Sequence, residues 1–379
     1  MSRPLRVVQA IPSLDPAGGG PPVVVASLAA AQAAAGANVT LAHGSDPAAE
    51  ERVTGLLAGI PGIDRVTLVH GTLAAALGSG AAPDAVHLHG FWERWLFAGA
   101  KAARHAGVPT VLTPHGMLHP WSMQQKRIKK AVAMRLGYAG MLRRAAMVHA
   151  LNEPERQILL WIDPKANVRV IPNGIFLESF ASLPARGEFR RRHPELTEGP
   201  LVLFISRLHY KKGLDILAEA FAMLLKTRPD ARLVVIGPDG GYEAAFRQHA
   251  ERLGIAKQTT MPGPQYGHAK LAALCDADCF CLPSRQEGFS IAITEALACG
   301  APCVVSRDCN YPEVAEAGAG VVTSLDPAEV ARGIESVLTG DDARSRLGGA
   351  GRELVATRFT WPRIAETAFE AYSASGIGP

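Results

Sequence analysis

The chain has 379 residues, 48% hydrophobic and 20% charged, with a net charge of +4. That leaves room for about two domains with sizeable cores and excludes a disordered or fibrous chain. The charge is uneven. Residues 1–175 hold 17 Lys and Arg against 10 Asp and Glu, or +7, while the remainder holds 22 against 25, or −3. A basic first half suits a polyanionic or membrane-surface partner.

The opening Met1-Ser2-Arg3-Pro4-Leu5-Arg6 runs straight into an apolar strand over 5–11 and shows no secretory leader pattern. A turn, Asp15-Pro16-Ala17-Gly18-Gly19-Gly20-Pro21-Pro22, then leads to a helix over 23–35 closed by Gly36. Glycine lets backbone approach a ligand, and proline suits a first helical turn. That helix is short and interrupted by Gln32, so it reads as core and not as a membrane span. Strands follow at 39–43, 66–69, 85–89, 110–113, 147–150 and 168–171, with a helix over 96–105 closed by Gly107. The pattern breaks between 172 and 200 and restarts with a strand at 201–205, a helix over 214–227 and a strand at 232–236. A helix over 242–253, a strand at 279–282, a helix over 291–299 and a strand at 303–305 come next. Strand and helix alternating in this way predict parallel sheets covered on both faces, in two doubly wound domains, 1–175 and 176–359. No segment is apolar enough to cross a bilayer, and a soluble cytoplasmic protein with no nucleic acid partner is expected. All six cysteines fall between Cys275 and Cys309 without paired C-x2-C spacing, so they read as reduced core thiols.

Two segments hold the chemistry. After the strand ending at Leu282 comes Pro283-Ser284-Arg285-Gln286-Glu287-Gly288-Phe289-Ser290-Ile291, then a helix through Glu295 to Gly300. Ser290 is placed to cap this helix and Gly300 to end it. Glu287 then sits on the loop and Glu295 in the second turn. The N–H groups of Gly288, Phe289, Ser290 and Ile291 offer a phosphate cradle. Carboxylates on both sides of an anion cradle fit a ligand with hydroxyls at each end and phosphate between, which describes a nucleotide sugar. In the second segment, Arg207-Leu208-His209-Tyr210-Lys211-Lys212-Gly213 follows the strand 201–205. Arg207 offers a planar fork and Lys212 a point charge, a match to a diphosphate. The G-x-G-x-x-G and G-x4-G-K-[ST] patterns are absent, which argues against NAD and ATP.

The glutamates Glu287 and Glu295, embedded in E-G-F-S and E-A-L-A-C-G, resemble the E-x7-E signature of glycosyltransferase family 4, retaining enzymes of the two-domain GT-B fold. Arg207, Lys212 and Gly213 resemble that family's basic element. The resemblance implies two Rossmann-like domains facing a cleft, with a terminal helix over 360–374 crossing back onto the first. It implies transfer of a hexose from a nucleoside-diphosphate sugar to a saccharide acceptor, with no cofactor and no metal. Arg207 and Lys212 would hold the diphosphate, Glu295 the ribose and Glu287 the sugar. Gly18, Gly19 and Gly20 loosely match a family G-G element near the donor, and His115 matches a histidine that contacts the transferred sugar. Asp15 and His89 are candidates for the acceptor side. The text around His115-Gly116-Met117-Leu118, Pro120-Trp121 and the basic run 124–144 is similar to members that build bacterial exopolysaccharide on polyprenyl-diphosphate-linked saccharides. In that run Ile128, Val132 and Leu136 form a stripe edged by Lys126, Arg127, Lys129, Lys130 and Arg135. This is either a helix docked on its own domain or a contact for an anionic membrane at the inner face of the cell. Rival readings are an epimerase or phosphorylase on the same scaffold and a nucleotide-sugar-binding protein without catalysis.

Overall fold

A computed structural model of the chain describes residues 3–16, 20–45, 47–78, 81–196, 199–338 and 340–378. The chain forms two compact units, Met1–Phe176 with Thr360–Pro379, and Leu177–Phe359. The first holds seven parallel strands: β1 (Arg6–Ile11), β2 (Asn38–His43), β3 (Thr67–His70), β4 (Ala85–His89), β5 (Thr110–Thr113), β6 (Met147–Ala150) and β7 (Val168–Val170). Their order is β3-β2-β1-β4-β5-β6-β7. The second unit holds β8 (Leu201–Ile205), β9 (Arg232–Ile236), β10 (Thr259–Thr260), β11 (Cys279–Leu282), β12 (Cys303–Ser306) and β13 (Gly320–Thr323), in the order β10-β9-β8-β11-β12-β13.

Every residue of β4, β8 and β11 is buried, the mark of strands covered by helices on both faces. In each unit the first strand pairs with strands on both sides, β1 with β2 and β4, and β8 with β9 and β11. The chain therefore winds outward in two directions from that strand. In an open sheet wound this way the crevice for a ligand lies beyond the carboxyl ends of the strands beside the point of reversal, here β1 and β4 in one unit and β8 and β11 in the other. The terminal helix Trp361–Ala374 packs on the helix Pro21–Ala34 of the first unit. It enters through the N–H of Trp361, which donates to the Ile175 carbonyl at 3.0 Å.

The structure adds elements beyond those read from the sequence. Among these are β10, β13 and the helices Pro47–Leu56, Glu153–Ile162, Gly267–Asp276, Pro327–Val337 and Asp341–Arg358. β10 has two residues and β13 begins at a glycine, so neither makes an apolar run. Gly348, Gly349 and Gly351 interrupt the last of these helices, and glycine lowers helix propensity.

Candidate active site

In the second unit the loops after β8 and β11 are bolted together. Arg285 donates two hydrogen bonds to the Asp215 carboxylate, at 2.8 and 2.6 Å, and a third to the Tyr210 carbonyl at 2.9 Å. Its guanidinium also lies over the Tyr210 ring, 4.0 Å from the centroid. Gly213 turns with φ of 70°, and a Cβ there would fall 1.9 Å from the Pro283 carbonyl oxygen. Only glycine lets these loops pass so closely.

Glu287 and Lys212 meet across that junction. Lys212 Nζ donates to Glu287 Oε1 at 2.6 Å, and Ser284 Oγ donates to the same oxygen at 2.6 Å. Glu287 is 7% exposed. Burial alone would raise its pKa, but the charge and hydrogen bond of Lys212, the Ser284 hydroxyl and the charge of Lys211 hold it below the usual value. Backbone bonds fix the residue as well, since its N–H donates to the Asp308 carbonyl and Asn310 Nδ2 donates to its own carbonyl, both at 3.0 Å. Burial, with Lys212 and Arg207 close by, lowers the Lys211 pKa although Glu287 acts against that. Arg207 is exposed and makes no hydrogen bond or ion pair among the described residues. Its stem covers Gly240. It is a cation aimed at solvent.

Glu295 lies in the helix Ile291–Ala298 and pairs with Lys270 at 2.6 Å. Gly300 ends that helix with φ of 75°, its N–H donating to Leu297 and that of Ala301 to Ala296, in keeping with the sequence pattern. The amino end differs from expectation. Ser290 holds the cap position but its side chain accepts no capping bond, so the first N–H groups lack a partner inside the helix. Phe289 packs its ring on Tyr311 and Phe359, with centroids 5.0 and 5.6 Å apart. Its part-buried, apolar side chain is engaged with these rings, so its backbone is what it can offer a phosphate. A cavity of about 700 Å3 lies among Arg186, Arg190, Arg228 and Arg344. It sits at the amino ends of β8 and β11, where the Leu201 N–H donates to Asp278 at 2.8 Å, far from the crevice loops.

In the first unit His115 follows β5 with φ of 52°, and Gly116 continues with φ of 73°. Positive φ is strained for histidine, so something must hold it. Glu155 does: Oε1 accepts the Gly116 N–H at 2.7 Å and Oε2 the Leu151 N–H at 2.8 Å. Burial raises the Glu155 pKa even though both backbone bonds act to lower it. His115 Nε2 lies 3.0 Å from His89 Nδ1, and burial, then the neighbouring His149, depress the His115 pKa. His89 itself is 2% exposed, with Nε2 at 2.6 Å from Gln9 Oε1. It does not rim an acceptor pocket as expected; it stands behind His115. Asp15 is engaged by Arg52 at 3.2 Å. Gly20 has φ of −68°, and a Cβ there would meet only open space, so nothing at this position requires glycine. Gly18 and Gly19 lie outside the described residues. Among the described residues no three His, Cys, Asp or Glu side chains gather as a metal site, and the six cysteines are free and buried.

Sequence reasoning missed Ser284, Arg285, Lys270, Gln9 and Glu155. Glu155 had a signal: Asn152 caps the helix Glu153–Ile162 by accepting the Glu155 N–H at 2.9 Å, and Asn followed three residues later by Glu is a helix-start pattern.

Two family models match the chain, a glycosyl transferase 4-like domain over residues 19–174 and glycosyl transferases group 1 over residues 185–354. The chain is 29% identical over 277 residues to a GDP-mannose-dependent alpha-(1-6)-phosphatidylinositol monomannoside mannosyltransferase of Mycobacterium tuberculosis, covering 70% of each. It is 33% identical over 222 residues to the D-inositol 3-phosphate glycosyltransferase of Segniliparus rotundus, covering 56% of this chain and 48% of that one. Among solved structures, Anabaena HepE in complex with UDP and glucose superposes with a TM-score of 0.79 at 20% identity, over 98% of this chain and all of the other. That likeness is one of fold.

Proposed function

Because the chain belongs to glycosyltransferase family 4 and has the GT-B fold, we propose that it moves a hexose from a nucleoside-diphosphate sugar to a saccharide acceptor with retention at the anomeric carbon. The observation behind this is the Lys212–Glu287 pair at 2.6 Å beside the unpaired Arg207, beyond the carboxyl ends of β8 and β11. Arg207, Lys212 and the first turn of the helix Ile291–Ala298 take the diphosphate, Glu295 the ribose hydroxyls and Glu287 the sugar. His115 is assigned to the transferred sugar on the strength of the family resemblance. The bond from the anomeric carbon to the phosphate oxygen breaks while the acceptor oxygen bonds to the same face. The hydroxyl proton passes to the departing phosphate. Charge growing on that phosphate is what the two cations stabilise, so the reaction as proposed runs without a metal ion.

The acceptor proposed is a saccharide on a lipid, in surface-polysaccharide synthesis at the inner face of the membrane. Ile128, Val132 and Leu136 support this, because these large apolar side chains are 82%, 49% and 74% exposed. Lys126, Arg127, Lys129 and Arg135 around them are exposed too. Lys130 is not part of this face. Its Nζ donates to the Ser122 carbonyl at 2.7 Å and lies 5.2 Å over the Trp92 ring. Among the described residues no helix is long and apolar enough to cross a membrane.

A thermal-shift screen against UDP, GDP, ADP and their sugars tests the reading. Ligand at about a hundred times Kd adds about 2.7 kcal/mol of stability, so one nucleoside diphosphate should raise Tm by several degrees. The mannosyltransferase relative uses GDP-mannose and HepE binds UDP, so these two come first. Proton NMR of the product's anomeric signal then checks retention. No shift with any nucleotide would overturn the reading.

A further inference from the structure

Seven polar side chains run end to end through the core of the first unit, starting at His115. His115 Nε2 meets His89 Nδ1 at 3.0 Å, and His89 Nε2 meets Gln9 Oε1 at 2.6 Å. Gln9 Nε2 donates to Gln32 Oε1 at 2.6 Å, and Gln32 Nε2 donates to the Tyr372 hydroxyl at 3.3 Å. That hydroxyl meets His87 Nδ1 at 2.7 Å, and His87 Nε2 meets Thr113 Oγ1 at 2.6 Å. All six groups behind His115 are 2% exposed or less.

Buried polar atoms need partners, and here each has one from the next in line. An amide is oxygen at one end and N–H at the other, and a neutral imidazole has one donor and one acceptor. The direction of the line is therefore all or none. The Gln9 carbonyl takes the His89 Nε2–H, which leaves His89 Nδ1 as acceptor. His115 must then hold its proton on Nε2 and present a bare lone pair at Nδ1. That atom makes no hydrogen bond among the described residues, and His115 is part-exposed. Burial also keeps His87 and His89 neutral, as such a line requires.

We propose that Tyr372, on the terminal helix, is a positioning residue that acts through Gln32, Gln9 and His89 to fix His115 as the Nε2–H tautomer, so that Nδ1 accepts a hydrogen bond from a hydroxyl of the donor sugar. The inference rests on the reading that His115 meets that sugar. It gives the helix a role in the site apart from packing: the Tyr372 hydroxyl accepts from Gln32 at 3.3 Å and meets His87 Nδ1 at 2.7 Å, so it joins the two halves of the line and holds Gln32 in place.

Nitrogen-15 NMR of the histidine rings in the full chain tests it, beside donor kinetics. In the wild type His115 Nε2 should resonate as protonated and Nδ1 as bare. Tyr372→Phe removes the anchor, and Gln32→Met breaks the line while keeping the tyrosine hydroxyl, which covers the case of a poorly folded phenylalanine variant. Both should shift the His115 ring signals towards a mixture of tautomers. Both should lower kcat about tenfold, the worth of one hydrogen bond, with affinity for free nucleoside diphosphate unchanged. A proton found on Nδ1 in the wild type, or unchanged ring signals in both variants, overturns the proposal. Shifted ring signals with wild-type turnover would uphold the line and remove His115 from the sugar.

Discussion

Replacing Lys212 with methionine keeps the length of the side chain and removes the charge that offsets a buried carboxylate. Glu287 is 8% and Lys212 19% exposed at the side chain, and they touch at 2.6 Å. Removing one partner of a buried pair costs roughly 3–5 kcal/mol, because the other charge is left in a poor medium. For a domain of this size 1 kcal/mol is worth about 2–4 °C, so Tm at pH 7 should fall by about 10 °C. The pH dependence is the sharper part. In the wild type the Glu287 pKa is depressed, so its contribution is present above the unfolded carboxylate value and is lost as pH falls through the folded one. In Lys212→Met burial dominates and the folded pKa rises above the unfolded one, so the deficit at neutral pH shrinks as pH falls towards about 4. Scanning calorimetry of both proteins between pH 7 and 4 measures this, and adding Glu287→Gln to the lysine variant should restore most of the loss at pH 7. A deficit that is the same at both ends of the range, or no rescue by glutamine, refutes the account of a carboxylate held charged by Lys212.

The two domains were legible because parallel strands buried on both faces write themselves as apolar runs. Val202, Leu203 and Phe204, all without exposure, are an example. The placement of Glu287 on the loop after β11 and of Glu295 on the helix that follows was legible from the strand and helix pattern. Their partners were not. Lys212 could be read as a cation, but nothing along the chain says that it meets Glu287 75 residues away, and Lys270 rides on a helix that the apolar pattern does not mark. The polar line behind His115 shows the limit most clearly. Alternation in β4 put His87 and His89 on one face, and polar residues on one face of a strand ordinarily point to solvent or to a ligand. Here that face is covered by the helix Pro21–Ala34, which contributes Gln32, and by the terminal helix, which contributes Tyr372 from 285 residues away in the chain. Only tertiary packing turns these residues into each other's partners.

Arg207→Ala, at an exposed and unpaired side chain, should leave Tm within a degree or so. It should still lower turnover about a hundredfold through lost charge stabilisation; wild-type turnover with saturating donor would remove Arg207 from the diphosphate. Glu295→Ala should weaken both free nucleoside diphosphate and donor, and Glu287→Ala only the sugar-dependent step. Equal losses for the free nucleotide by calorimetry would refute that division. Activity should survive EDTA, and loss restored by a single divalent ion would mean that the charge assignment is wrong. The apolar stripe offers the last test. Ile128 and Leu136 are 82% and 74% exposed, and four exposed cations surround them. If the face rests on anionic lipid, each cation contributes about 1 kcal/mol, screened by salt. Changing Lys126, Arg127, Lys129 and Arg135 to glutamate then removes at least about 4 kcal/mol, a thousandfold or more in partitioning. Lys130 stays in place because it holds Ser122. Co-sedimentation with phosphatidylglycerol vesicles at low salt should be complete for the wild type and absent for the variant, while both bind nucleotide alike. An Ile128→Asp, Leu136→Asp variant should also fall off, since the apolar anchor is gone while the charge attraction is only reduced. A wild type that stays in the supernatant even at low salt would refute the membrane face and leave the transferase reading untouched.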